Sequence, residues 1–282
     1  MSCEILKGAP VAAALDEKTK TKVLALEQKG ICPCLAILRV GERPDDMAYE
    51  RAAVKRCEKV GVQVRRIILP EDVSQAELIS EIEKLNADSG VHGVLMFRPL
   101  PKSLDEKAAC LALDPRKDID GITVGSMSRV FSGSGDGFSP CTAQSVMEIL
   151  NYYGVEISGR RAAVIGRSLV IGRPAAMLLM AANATVTICH SKTEDMPSVV
   201  RDADIVVAAI GKGEAIGAEY LRAGQTVIDV GMNWSEEKQK FVGDVRLDEA
   251  EQTVRAVTPV PGGVGSVTTS VLVSHVVEVA DR

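Results

Sequence analysis

Short apolar runs alternate with segments of helical period along most of this chain, and that alternation restricts the fold more than any other feature. In the first half, "AALDEKTKTKVLALEQKG" is amphipathic with a glycine stop. It is followed by the apolar run "CLAILRVG", the helical "DMAYERAAVKRCEKVG", the run "VQVRRIIL", the helical "SQAELISEIEKLNAD" and the run "VHGVLMF". From about residue 160 the pattern restarts with "RAAVIG", "GRPAAMLLMAAN", "ATVTICH", "DMPSVVRDA", "DIVVAAIG", "AEYLRAG" and "QTVIDVG". Continuous apolar strands separated by helices predict α/β architecture with buried parallel sheets. The Gly/Ser-rich "FSGSGDGFSP" at 131–140 is the expected crossover between two domains. A chain of 282 residues, 46% of them hydrophobic, can bury two such cores.

Charge and cysteine usage narrow the partners. The 33 basic and 38 acidic residues are interspersed and leave a net charge of -5, so no basic field invites a nucleic-acid backbone. The opening "MSCEILKGAP" lacks a basic region followed by an apolar one, and no apolar run reaches the roughly 18 residues of a membrane span. Seven scattered cysteines suit reduced thiols in a cytoplasm better than a disulfide framework. "CPC" has the wrong spacing for a paired metal or redox site, and the three histidines lie far apart, so no metal site is expected.

"AAVIGRSLVIGRPAAMLL" runs a strand into Gly166 and starts a helix near Gly172 or Pro174. N–H groups at such a helix start attract an anion, and the glycines admit a pyrophosphate close to the backbone. The spacing is G-x5-G rather than G-x-G-x-x-G, and a tight turn without a ligand explains it equally well on its own. The next strand ends in His190, Ser191 and Lys192, with no acid to hold a ribose 2′-hydroxyl, while Arg167 sits on the first turn. These donors suit a 2′-phosphate, so NADP is expected and NAD stays the alternative.

With "GRSLVIGRP", "ATVTICHSKT", "VIDVGMN", "VGDV" and "TPVPGGVGSVT" in this order, the chain resembles the methylenetetrahydrofolate dehydrogenase/cyclohydrolase family. The likeness extends through "VGERPDD", the Tyr49 helix, "GVLMFRPLP" and "KDIDG". It implies an N-terminal α/β catalytic domain, residues 1–140 with 266–282. It also implies a C-terminal Rossmann-like parallel-sheet NADP domain, residues 141–265, a cleft between the two, and a homodimer. Gly166, Arg167, Ser168, Ser191 and Met232 would then line the dinucleotide. Tyr49, Phe97, Leu100, Asp120, Pro261 and Gly262 would line the folate, with Tyr49 and Asp120 in catalytic positions.

The chain departs from that family where water would be activated. The family's Tyr-x-x-x-Lys places its lysine four residues after the tyrosine, and here that residue is Ala53. Four helical residues advance about 400°, so Ala53 shares the face of Tyr49, whereas Lys55 lies about 120° around. Arg56 returns to the face about 10 Å along the axis, but its guanidinium is a poor proton carrier. Where the family reads "VQLPLP", this chain reads "MFRPLP", with Phe97 in the glutamine's place. Both losses resemble the monofunctional NAD-dependent members of the superfamily. "ITVGS", "PCTA" and "GGVGS" are smaller departures, in loops. The expected activity is oxidation of 5,10-methylenetetrahydrofolate by NADP with weak or absent cyclohydrolase. The usual bifunctional enzyme and a folate- and nucleotide-binding protein without turnover are the alternatives.

Overall fold

The computed structural model describes residues 3–282, so the first two residues of the opening segment, and of the expected N-terminal domain, lie outside the described residues. Contacts divide the chain into two units. One comprises Ala13–Cys141 with Thr269–Arg282, and the other comprises Thr142–Thr268 with the segment through Ala12.

The first unit is built on three parallel strands in the order β3-β2-β4, namely β2 (Cys34–Val40), β3 (Gln63–Leu69) and β4 (Gly93–Met96). Every residue of β2 and β4 is buried, which is why both read as continuous apolar runs, whereas β3 is half exposed along its length. On one face lie α3 (Gln75–Ala87) and α4 (Glu106–Ala112). Leu78, Ile82, Leu85 and Ala109 of these helices join Ala36, Leu38, Val94 and Met96 in one core. A capping box between Ser74 and Glu77 starts α3, and Asp105 caps α4 through the Lys107 and Ala108 N–H groups.

The same unit holds most of α1 (Gly8–Gln28), all of α2 (Pro44–Val60) and α5 (Val124–Ser132), and nearly all of α10 (Thr268–Ala280). Pro44, Asp45 and Asp46 fit the first turn of α2, and Gly61 ends it in the left-handed region at φ 88°. Its buried stripe is Asp46, Glu50, Ala53, Cys57 and Val60. Glu50 is held by Arg39 Nε of β2 at 2.8 Å and by Arg66 Nε of β3 at 2.9 Å, which fixes the rotation of α2 over the sheet.

The second unit carries a six-stranded parallel sheet in the order β1-β11-β8-β7-β5-β6. The strands are β1 (Glu4–Ile5), β5 (Arg161–Ile165), β6 (Thr185–Cys189), β7 (Ile205–Ala208), β8 (Thr226–Asp229) and β11 (Ala256–Val257). Most of α6 (Cys141–Tyr152), with α7 (Gly172–Ala181), α8 (Met196–Arg201) and α9 (Leu247–Thr253), completes it, and β9 (Asn233–Ser235) pairs antiparallel with β10 (Lys240–Val242) in a small hairpin. Its core joins Ala163, Ile165, Val206, Ala208 and Val227 to Val200 of α8 and Ala250 of α9. Because β1 pairs with β11, the segment through Ala12 groups by contacts with this sheet, a different division from the 1–140 that the resemblance implies. The crossover at 131–140 begins as the end of α5 and continues as irregular chain up to α6.

Candidate functional site

At the carboxyl edge of the second unit's sheet, Gly166 follows β5 with φ 125°, and a side chain there would collide with the Ala209 carbonyl oxygen. Gly172, at the start of α7, packs on the backbone of Gly166 and Arg167, so the two glycines of G-x5-G close the turn on each other. Ser168 Oγ accepts the N–H groups of Ile171 at 3.1 Å and Gly172 at 3.4 Å, ordering the helix start and leaving its hydroxyl proton to donate elsewhere. Ile165 pairs with Cys189, and Gly166 N donates to Cys189 O at 2.9 Å. Arg167 and Ser191 therefore leave adjacent strands at one edge, where both are exposed together with Lys192. A short turn fixes that corner. His190 N donates to Thr193 Oγ1 at 2.9 Å, Thr193 N donates back to His190 O at 2.8 Å, and Lys192 N donates to His190 Nδ1 at 3.2 Å. A hydroxyl, a guanidinium and an ammonium gathered beside a helix start fit a dinucleotide with a 2′-phosphate.

Two buried acids that the sequence reading passed over organise the remainder of this edge. Asp229, at the end of β8, accepts N–H groups from Gly231, Asp244 and Val245 at 2.9, 3.0 and 2.9 Å. Asp244 accepts those of Ile210, Gly211 and Lys212 at 2.6, 3.0 and 2.9 Å, and the Asn233 side-chain amide at 3.0 Å. The pair ties the loop after β7 to the turn carrying Met232, which is 59% exposed. Burial pushes the Asp229 carboxyl up to about 7, against the pull of its three N–H donors and with a small further rise from Asp244. Both acids stand in quoted motifs, "VIDVG" and "VGDV", but a carboxylate satisfied by backbone leaves no periodic signal in sequence.

In the first unit Tyr49 and Phe97 are brought together, with ring centroids 6.0 Å apart and planes at 83°, an edge-on aromatic pair. Ala53 is fully buried. Lys55 is exposed, and Arg56 is bonded to the buried Asp16 of α1 at 2.5 Å, a carboxylate it shares with Lys59 at 2.8 Å. Leu100 is buried in the core that covers β4. Val94 bridges Asp118, so the segment holding Asp120 runs beside β4 toward Phe97.

The two acids of "KDIDG" have separate roles. Asp118, fully buried, accepts the N–H groups of Ile122 and Thr123 at 3.0 and 2.7 Å and the Ser126 hydroxyl at 2.6 Å, so it builds the turn. Asp120 is half-buried, and its carboxyl is pushed up to about 6, mainly by desolvation and further by Asp118, while Cys141 and Arg98 act in the opposite direction. Pro261 and Gly262 are exposed and lie in the second unit, where Gly8 N donates to Gly262 O at 2.8 Å. Among the described residues no group of three or more metal-ligating side chains is present, and no helix is long and apolar enough to cross a membrane.

Residues 6–120 match the model of the tetrahydrofolate dehydrogenase/cyclohydrolase catalytic domain, and residues 140–282 match that of the tetrahydrofolate dehydrogenase/cyclohydrolase NAD(P)-binding domain. The chain belongs to this tetrahydrofolate dehydrogenase/cyclohydrolase family. It is 48% identical over 279 residues to the bifunctional protein FolD of Carboxydothermus hydrogenoformans, covering 99% of this chain and 97% of that one. The bifunctional FolD methylenetetrahydrofolate dehydrogenase/cyclohydrolase of Campylobacter jejuni superposes with a TM-score of 0.95 at 36% identity, covering 99% of each chain. The Trypanosoma brucei methylenetetrahydrofolate dehydrogenase-cyclohydrolase, solved with NADP cofactor and an inhibitor, superposes with a TM-score of 0.92 at 34% identity, covering 100% of this chain and 98% of that one. The family's two domain types correspond to the α/β architecture and Rossmann-like parallel sheet expected from sequence.

Proposed function

We propose that this family member is an NADP-dependent 5,10-methylenetetrahydrofolate dehydrogenase whose cyclohydrolase activity is weak or absent. The dehydrogenase reading is supported by the family and by the fit of the Gly166–Ser168 turn and the Ser191 corner to a 2′-phosphorylated dinucleotide. Bound NADP supplies the hydride acceptor. The methylene carbon gives up a hydrogen with both bonding electrons, and the positive charge left behind is shared by its two flanking nitrogens, giving the methenyl product. No protein proton moves in that step. The chain's contribution is to hold donor and acceptor, with Tyr49, Leu100, Asp120, Pro261 and Gly262 contacting the folate and Arg167, Ser168, Ser191 and Met232 contacting the dinucleotide.

One observation carries the loss of hydrolysis: a fully buried Ala53 methyl and a phenyl ring edge-packed with Tyr49 stand at the positions the resemblance assigns to lysine and glutamine. Neither group can move a proton, so nothing at these positions assists water to attack the methenyl carbon. Arg56, committed to Asp16, does not replace the lysine. The relatives' bifunctional name favours a second reading in which hydrolysis persists by another route. A homodimer acting in the cytoplasm belongs to the same proposal; free thiols at all seven cysteines suit that compartment, and sedimentation checks the subunit number.

The test is steady-state reduction of NADP, then NAD, by 5,10-methylenetetrahydrofolate. Turnover with a lower KM for NADP is expected. Turnover with NAD alone would overturn the cofactor assignment, and no reduction with either would leave a folate- and nucleotide-binding protein.

A further inference from the structure

α10 brings a buried histidine to the segment that carries Asp120. His275 Nδ1 lies 2.8 Å from the Ile119 carbonyl oxygen. A carbonyl only accepts, so Nδ1 bears the proton and Nε2 is the bare ring nitrogen. Burial pushes this imidazole down to about 4, so the ring is neutral at ordinary pH. Phe138 stacks on it with centroids 4.3 Å apart and planes at 22°, and the Arg282 guanidinium lies 4.9 Å from the Phe138 centroid. Cys141 Sγ donates to the same carbonyl at 3.3 Å, and burial raises that thiol so far that it keeps its proton.

His275 thus donates to a carbonyl that the Cys141 thiol also approaches, that thiol being shared with the Asp120 carboxyl, and the nitrogen of the Ile119 peptide belongs to Asp120. On the far side of Asp120, Gly121 has φ 69° and is so close to Phe138 and Pro140 backbone that no side chain fits. The Asp120 backbone is clamped before and after the residue.

We propose that His275 is a positioning residue for folate binding: by holding the Ile119 carbonyl it sets the Ile119–Asp120 peptide and therefore the direction of the Asp120 carboxyl. This rests on the reading of Asp120 as a folate contact. The hydrogen bond is the operative feature and not the imidazole as such. Asparagine carries its amide nitrogen at the same number of bonds from Cα as Nδ1, so it can make the same bond. Leucine has the shape of asparagine and no donor.

The experiment uses the full chain with His275→Leu, His275→Asn, His275→Gln and Asp120→Asn, measuring KM for folate and for NADP. His275→Leu and His275→Gln, the latter with its donor one bond too far out, are expected to raise the folate KM about tenfold, a loss of about 1.4 kcal/mol, and to leave the NADP KM within about twofold. His275→Asn is expected to stay near wild type in both. Where His275→Leu fails to fold, the comparison of His275→Gln with His275→Asn decides. A wild-type folate KM in the donor-displaced variants, beside a raised one in Asp120→Asn, would overturn the positioning role alone. Equal rises in both KM values, or His275→Asn behaving as His275→Leu, would also overturn it. An unchanged folate KM in Asp120→Asn would remove the Asp120 reading on which it stands.

Discussion

Restoring hydrolysis should require two substitutions acting together. Ala53 is fully buried and Phe97 is 8% exposed, so Ala53→Lys alone buries an ammonium while the position the resemblance gives to its glutamine partner holds a phenyl ring, which supplies no acceptor. Overpacking costs about 1–3 kcal/mol. Desolvation lowers the lysine pKa, each unit representing about 1.4 kcal/mol between protonation states. Phe97→Gln alone gives up the edge-on contact with Tyr49, worth about 0.5–1.5 kcal/mol beyond area burial, and provides an amide with nothing to orient. In the double variant the amide oxygen accepts from the ammonium, and the coupling expected of contacting residues is about 0.5–3 kcal/mol. Hydrolysis of supplied methenyltetrahydrofolate, followed by loss of its absorbance, and the melting temperature measure the two quantities. The single variants should stay within about threefold of the parent rate, and the double variant should exceed either by at least about tenfold and melt higher than additivity gives. Ala53→Lys matching the double variant would refute the argument, because Phe97 would then not be the second half of the defect.

Other consequences concern the dinucleotide edge and the acids. Arg167→Ala should raise the KM for NADP by about 10- to 100-fold, the value of one charge-assisted hydrogen bond, and change the KM for NAD little. Asp244→Ala leaves the N–H groups of Ile210, Gly211 and Lys212 without their acceptor. It should lower stability by about 3 kcal/mol in denaturant melts and raise the NADP KM. Burial pushes the Asp120 carboxyl from its ordinary value of 3.8 up to about 6 in the folded chain. Its favourable contribution is complete below pH 4 and is lost as pH rises through 6, by up to about 3 kcal/mol. Asp120→Asn should therefore stabilise the chain at pH 7.5 and not at pH 4, while weakening folate binding; equal effects at both pH values would contradict the titration.

The α/β plan was legible because buried parallel strands are continuous apolar runs, as in "CLAILRV" and "DIVVAAIG". Strands without such a run escaped. β1 and β11 each contain two residues, and the β9–β10 hairpin, "NWS" against "KFV", is too short to show a period. α5 was missed because "VGSMSRVFS" is rich in Gly and Ser, and a Thr123 hydroxyl accepting from Ser126 N starts it. In the proposed site, positions marked by residue type at a fixed spacing, such as Gly166, Ser168 and the Tyr49–Ala53 pair, can be named from sequence. Residues that act through long-range hydrogen bonds could not. Asp244 reaches back more than thirty residues to its loop, and His275 is 156 residues from Ile119.

The central claim is tested most directly by supplying methenyltetrahydrofolate to the unaltered protein and measuring its loss above the buffer rate, in preparations that visibly reduce NADP with 5,10-methylenetetrahydrofolate. Robust NADP reduction together with methenyl hydrolysis at the buffer rate is the expected result. Hydrolysis at a rate comparable to the dehydrogenase turnover would contradict it.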